Sequence, residues 1–163
     1  MLGRTAIQAL KALLELAQEP GRWRSVNDLA AAQALPAPHL EQLLLRLRRA
    51  GVLEARRGRQ GGYRLATPPE RLTLLRMLVA VGAWAPADGT ALGRLEGAWP
   101  GEGLEAAADP LGDPATERVA ALLGQRLARA VERELERLTL AELLFDLRSA
   151  RASLSEEGGL MVG

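Results

Sequence analysis

LPAPHLEQLLLRLRRAGVLEARRGRQGGYRLA, the run from Leu35 to Ala66, contains in order a helix, a turn, a strand, a basic hairpin tip and a second strand. Pro38 suits the first position of a helix, where its missing N–H would have no partner anyway. From there Leu40, Leu43, Leu44 and Leu47 recur at three- and four-residue steps and form one apolar stripe. Arg48 and Arg49 place cations at the helix C-terminus, and Gly51 ends the helix. Val52–Arg56 and Tyr63–Ala66 then read as short strands, joined by Arg57-Gly58-Arg59-Gln60-Gly61-Gly62. A helix followed by a small β-hairpin is the layout of a winged helix-turn-helix.

The flanking sequence agrees. Ala6, Leu10, Leu13, Leu14 and Ala17 share one face of a helix over 3–18, which Pro20 and Gly21 stop. Ser25 is placed to cap a short second helix, with Asp28 completing a capping box. Leu35-Pro36-Ala37-Pro38 makes the turn into the third helix. After Pro68 and Pro69, Thr73 can cap a fourth helix ending near Gly82. Residues 85–113 are dense in Gly and Pro and weak in periodicity, which predicts a long loop with at most a helical turn near Leu92–Glu96. Asp113-Pro114 opens a long helix in which Val119, Leu122, Leu123, Leu127, Val131, Leu135 and Leu138 repeat at helical steps. Thr139-Leu140-Ala141-Glu142 is a capping box for a last short helix to about Leu147, and the tail after Ser149 is expected to fray. The expected division is 1–82 for the winged helix-turn-helix, 83–113 for the loop, 114–148 for the long and short terminal helices, and 149–163 for a flexible tail. The fold class is mainly α with a small β-wing.

Charge is unevenly distributed. Residues 1–66 carry 11 Lys and Arg against 5 Asp and Glu, a net of +6, while residues 67–163 carry 10 against 15, a net of −5. A basic half built from a helix and a wing points to DNA, because neutralising phosphates supplies most non-specific affinity. The chain has no cysteine, which excludes disulfides and thiolate-held metals, and its single histidine excludes a multi-histidine metal site within one subunit. No apolar run approaches the roughly 20 residues of a membrane span. The N-terminus lacks the features of a signal peptide, so a cytoplasmic location without membrane association is expected.

With the leucine stripe turned inward, His39, Gln42 and Arg46 fall on another face of the third helix, flanked by Glu41 and preceded by Pro38. Gln pairs bidentately with adenine, Arg with guanine, and Glu accepts from cytosine. A plain solvated face would hold the same residues. The wing tips the balance toward DNA: Arg56, Arg57 and Arg59 repel one another and gain nothing from a core, whereas a phosphate backbone or narrow minor groove relieves them. Gln60 and Ser25 complete the DNA-binding set, with Tyr63 packing its ring under the wing and its hydroxyl in reach of a phosphate.

Several of these segments together resemble the Rrf-two family of bacterial winged-helix transcription regulators, the IscR and NsrR type. The matching residues are Gly3-Arg4, Ala6, Ala9 and Leu10; Leu40-Glu41-Gln42-Leu43 and Leu47-Arg48 through Ala50-Gly51; Arg57-Gly58 and Gly61-Gly62-Tyr63-Arg64-Leu65-Ala66; Leu72-Thr73-Leu74; and Leu138-Thr139-Leu140-Ala141-Glu142-Leu143. The resemblance covers nearly the whole chain except 85–113 and the tail. It implies a homodimer on a partly palindromic operator, held by the long helix through Leu123, Leu127, Val131, Leu135 and Leu138. It also implies Arg57 in a minor groove and the residues around Pro38–Gln42 in major grooves. Sensing members of the family bind an iron–sulfur cluster through three cysteines in the segment equivalent to 85–113. This chain has none, so no cofactor and no metal are assigned. Thr5 and His39 also replace residues common in the family.

The remaining signal is a pair of tryptophans, Trp84 at the start of the loop and Trp99 within it, which line an effector region or simply pack as core. The acidic run Glu96, Glu102, Glu105, Asp109 and Asp113 matches no cation-binding loop. The expected function is a cluster-free, dimeric transcription regulator acting as a repressor and answering to a small molecule or protein partner. The alternative is a winged-helix protein–protein adaptor. A catalyst is not indicated: there is no nucleophile–base pair and no phosphate loop, since the Gly58–Gly62 turn lacks the Lys-Ser/Thr of one.

Overall fold

A computed structural model describes residues 2–84 and 113–159, with side chains to 155. Helix α1 (Arg4–Gln18) buries Ala6, Ala9, Ala12, Leu13, Leu16 and Ala17. Its alanines leave room for neighbouring backbones, and α1 accordingly packs on α2 (Val26–Gln33), α3 (Ala37–Arg49), α4 (Leu74–Ala80) and α6 (Leu140–Gly159). Helix α2 opens with the expected capping box: the Ser25 hydroxyl accepts from the Asp28 N–H and the Asp28 carboxylate accepts from the Ser25 N–H, both at 3.1 Å. It ends on Ala34 in the left-handed region, φ 50°, where the Leu35 N–H reaches back to the Ala30 carbonyl at 2.9 Å. That reversal is the turn of the helix-turn-helix. Helix α3 then buries the full stripe Leu40, Leu43, Leu44 and Leu47.

Strands β1 (Leu53–Arg56) and β2 (Gly62–Leu65) pair antiparallel, Leu53 opposite Leu65 and Arg56 opposite Gly62. The wing gains a third edge that the sequence reading did not include. Arg24 pairs with Tyr63 across two backbone hydrogen bonds of 3.0 and 2.8 Å. After a 3₁₀ turn at Pro69–Arg71, Thr73 caps α4, its hydroxyl accepting from the Arg76 N–H.

Helix α5 (Pro114–Arg137) starts on Asp113, whose carboxylate accepts from the Ala115 N–H. Its 24 residues span about 36 Å. The two Leu-Thr-Leu segments singled out in the sequence meet here: the Leu74 N–H donates to the Leu138 carbonyl and the Leu140 N–H to the Leu72 carbonyl, each at 2.8 Å. The starts of α4 and α6 are thereby hydrogen-bonded to each other, and one core runs from Ala6 through Leu78 to Leu135, Leu140 and Leu144. The expected separation of a winged domain ending at 82 from terminal helices beginning at 114 is therefore not a separation of cores.

One boundary needs correction. Helix α6 continues to Gly159, well past the expected end near Leu147, so the tail from 149 is helical over most of its length. Arg151 anchors it by donating to the Gln18 side-chain oxygen at 2.8 Å, a contact between residues 133 apart that local sequence cannot announce. Among the described residues no helix is long and apolar enough to cross a membrane. The expected loop 85–113, with its turn near Leu92–Glu96, lies outside the described residues apart from Asp113.

Candidate nucleic-acid interface

With its leucines inward, α3 turns Pro38, His39, Glu41, Gln42 and Arg46 outward, and all five are exposed. Arg46 differs from the rest. Its Nη1 donates to the Val81 carbonyl at 2.9 Å, so the guanidinium braces α3 against the end of α4 instead of reaching out beside Gln42. Helical spacing placed Arg46 on the reading face, but the carbonyl left over at the α4 C-terminus competes for its donors. Ser25 is likewise committed locally, its hydroxyl being the cap of α2.

The wing is built for a rigid tip. Gly61 N–H donates to the Gly58 carbonyl at 3.0 Å, and Gly58 takes φ 108° to close the turn. Arg56 Nη2 donates to the Gln60 carbonyl at 2.8 Å, spanning the tip from below. Arg57, Arg59 and Gln60 stand exposed, and no acidic side chain pairs with either arginine among the described residues. Tyr63 is half-buried against the core, as expected for a ring under the wing.

Beneath the wing lies a polar knot that sequence reading missed. Glu15 forms an ion pair with Arg24 at 3.1 Å and accepts from the amides of Gln18 and Gln33 at 2.9 Å each. Glu15 and Arg24 side chains are only 13% and 19% exposed, so this pair is shielded from salt better than a surface pair. It joins α1 and α2 to the Arg24 backbone bridge that edges the wing. Trp23, next to it, lies with its ring centroid 5.0 Å from the Arg56 guanidinium carbon and 4.4 Å from that of Arg64. Arg64 is also paired with Glu54. The only local signal was an aromatic between two arginines, Arg22-Trp23-Arg24. Its partners are 33 and 41 residues away.

The proposed dimer stripe divides in two. Leu135 is buried in the chain's own core, and Val131 and Leu138 pack against that core. Leu135 is thereby corrected to an intrachain contact, whereas Val131 and Leu138 are only partly covered by the chain itself. Leu123 and Leu127 remain exposed, together with Val119 and Leu122, at 46–65%. Trp84 is 5% exposed and belongs to the core, the second of the two roles open to it from the sequence, while Trp99 lies outside the described residues.

The profile of the Rrf2 family, described as iron-dependent transcriptional regulators, matches residues 2–146. An HTH-type transcriptional regulator of Synechocystis is 34% identical over 155 residues, covering 91% of this chain and 90% of that one. The HTH-type regulator IscR of Cereibacter sphaeroides is 44% identical over 80 residues, covering 48% of this chain and 51% of that one. Among solved structures, CymR, the global cysteine regulator of B. subtilis, superposes with a TM-score of 0.61 at 27% identity, over 88% of this chain and 95% of that one. IscR of T. potens shares the fold with a TM-score of 0.63 at 24% identity, over 92% and 90% of the two chains.

Proposed function

We propose, from the premise that this chain belongs to the Rrf2 family of DNA-binding transcriptional regulators, that it works as a homodimer reading a partly palindromic operator as a repressor in the cytoplasm. The observation that carries the reading is the wing tip: Arg57 and Arg59 stand exposed and, among the described residues, without acidic partners, on a hairpin anchored to the helical body through Arg24. Such a tip suits the phosphate backbone or a minor groove. His39, Glu41 and Gln42 then face a major groove, with Gln42 the strongest candidate for base discrimination. Arg46 contributes rigidity to the reading helix. Two copies meet along Val119, Leu122, Leu123 and Leu127, and membership of the family implies half-sites about one helical turn apart.

Iron does not fit this chain through thiolates. There is no cysteine, and the one histidine, His39, sits exposed on α3. No group of three potential ligands gathers among the described residues. The response is assigned to a small molecule or protein partner. No catalytic role is assigned.

The test is fluorescence anisotropy on a duplex that the protein selects from a randomised pool, and on a scrambled duplex, each at two salt concentrations. Tight binding confined to the selected duplex supports the reading. Weak binding, equal on both and lost with salt, refutes it and returns the adaptor alternative.

A further inference from the structure

We propose that Trp23 is a positioning residue for the wing: its indole holds Arg56 and Arg64, and through Arg56 it sets the direction in which Arg57 and Arg59 present their charge. The inference rests on the reading of the wing as a DNA-contacting element.

Three observations combine. The first is that Trp23 has a fixed base. Its neighbour Arg24 is locked by two backbone hydrogen bonds to Tyr63 and by the shielded ion pair with Glu15. The second is register. Glu54 stands opposite Arg64 and Arg56 opposite Gly62, so Glu54, Arg56 and Arg64 lie on one face of the hairpin, and Gly62 adds no side chain there. Both guanidinium carbons lie within the roughly 6 Å over which a cation is drawn to an indole face. The third is the link onward. Arg56, held on Trp23, donates to the Gln60 carbonyl inside the tip. The order of contacts is thus helical body, Trp23, Arg56, tip.

The arrangement also sorts four clustered arginines. Arg64 is neutralised by Glu54, and the indole offsets the charge of Arg56 and Arg64. Arg57 and Arg59 are left for the ligand. A two-stranded hairpin is marginal by itself, so its orientation depends on contacts with the rest of the fold. Holding the tip before DNA arrives removes part of the ordering cost of binding.

An apolar cover for the wing would serve packing alone, and the variants separate the two roles. Trp23→Leu keeps apolar bulk without a π-face, whereas Trp23→Phe keeps a smaller face. The full-length protein is titrated against the self-selected duplex over a range of salt. Trp23→Leu should weaken binding about five-fold and Trp23→Phe about two-fold. The slope of log K against log salt should not change, because every arginine remains. In an Arg56→Met background, Trp23→Leu should cost less than half of that five-fold. Wild-type affinity in Trp23→Leu, or equal losses in Trp23→Leu and Trp23→Phe with full additivity to Arg56→Met, overturns the proposal. Should Trp23→Leu fail to fold, the Trp23→Phe and Arg56→Met cycle decides on the same criterion of additivity. Failure of the wild-type protein to select any duplex is a different result, which removes the DNA reading and the proposal with it.

Discussion

Replacing Gly62 with alanine should unseat the wing. Gly62 takes φ 132°, a region that residues with a Cβ rarely enter. An added Cβ would lie 2.3 Å from the Arg24 carbonyl oxygen and 2.6 Å from its carbon, both backbone atoms that cannot swing aside. Relief requires moving the Arg24 backbone away, which breaks the two hydrogen bonds to Tyr63. Those bonds contribute about 1 kcal/mol each, and the backbone conformation costs a further ~1–2 kcal/mol, for a loss of about 3–4 kcal/mol. With a urea slope of about 1–3 kcal/mol/M, the midpoint should fall by roughly 2 M at fixed protein concentration. Gly58→Ala is the internal control, because Gly58 also has positive φ, 108°, but nothing lies within 4 Å of the place its new methyl group would take. It should lose only the conformational share, about 1 kcal/mol. Equal midpoints for the two variants, or a Gly62→Ala loss below about 1 kcal/mol, would refute the claim that the close approach to Arg24 anchors the wing.

Other consequences follow from the same geometry. Leu123→Glu with Leu127→Glu should yield folded monomers in sedimentation velocity, whereas Leu135→Ala should lower stability by about 2–4 kcal/mol, because only the latter lies in the chain's own core. Ala34→Gly should raise stability by about 0.5–1 kcal/mol in urea titration, since Ala34 carries a Cβ at φ 50° where glycine is unhindered. Arg57→Ala should reduce the salt slope of DNA binding by about one, and Gln42→Ala should relax preference at one base position without changing the slope. Asp28, Asp113 and Glu142 all sit below the usual carboxylate range: Asp28 through the Ser25 hydroxyl and then its N–H, Asp113 through the Ala115 N–H, and Glu142 through the Thr139 N–H. Because these folded-state values are lowered, the unfolded chain takes up protons first as pH falls. Their contribution is complete above about pH 5 and disappears through the folded values below about pH 4, so Asp28→Asn, Asp113→Asn and Glu142→Gln together should flatten the acid limb of thermal stability.

Much of the molecule was legible residue by residue because its signals are local. Ser25 and Asp28 announce a capping box within four residues, and Leu40, Leu43, Leu44 and Leu47 announce a buried face within two turns. The glycines of the hairpin and the surplus of arginine around it pointed to a wing and to an anionic partner. Periodicity alone could not say which molecule buries a stripe. The same repeat runs from Val119 to Leu138, yet its C-terminal part fills the chain's own core while Leu122, Leu123 and Leu127 stay exposed. Only the folded chain settles this, because the Leu-Thr-Leu pairing fixes where α5 ends against α4. Side-chain contacts between distant segments were equally illegible. Arg46 turns to Val81, Arg151 to Gln18, and Trp23 meets Arg56 and Arg64, each across tens of residues. A helical repeat records which residues avoid water, whereas the partner of an arginine or an exposed leucine depends on surfaces that exist only once distant segments have come together.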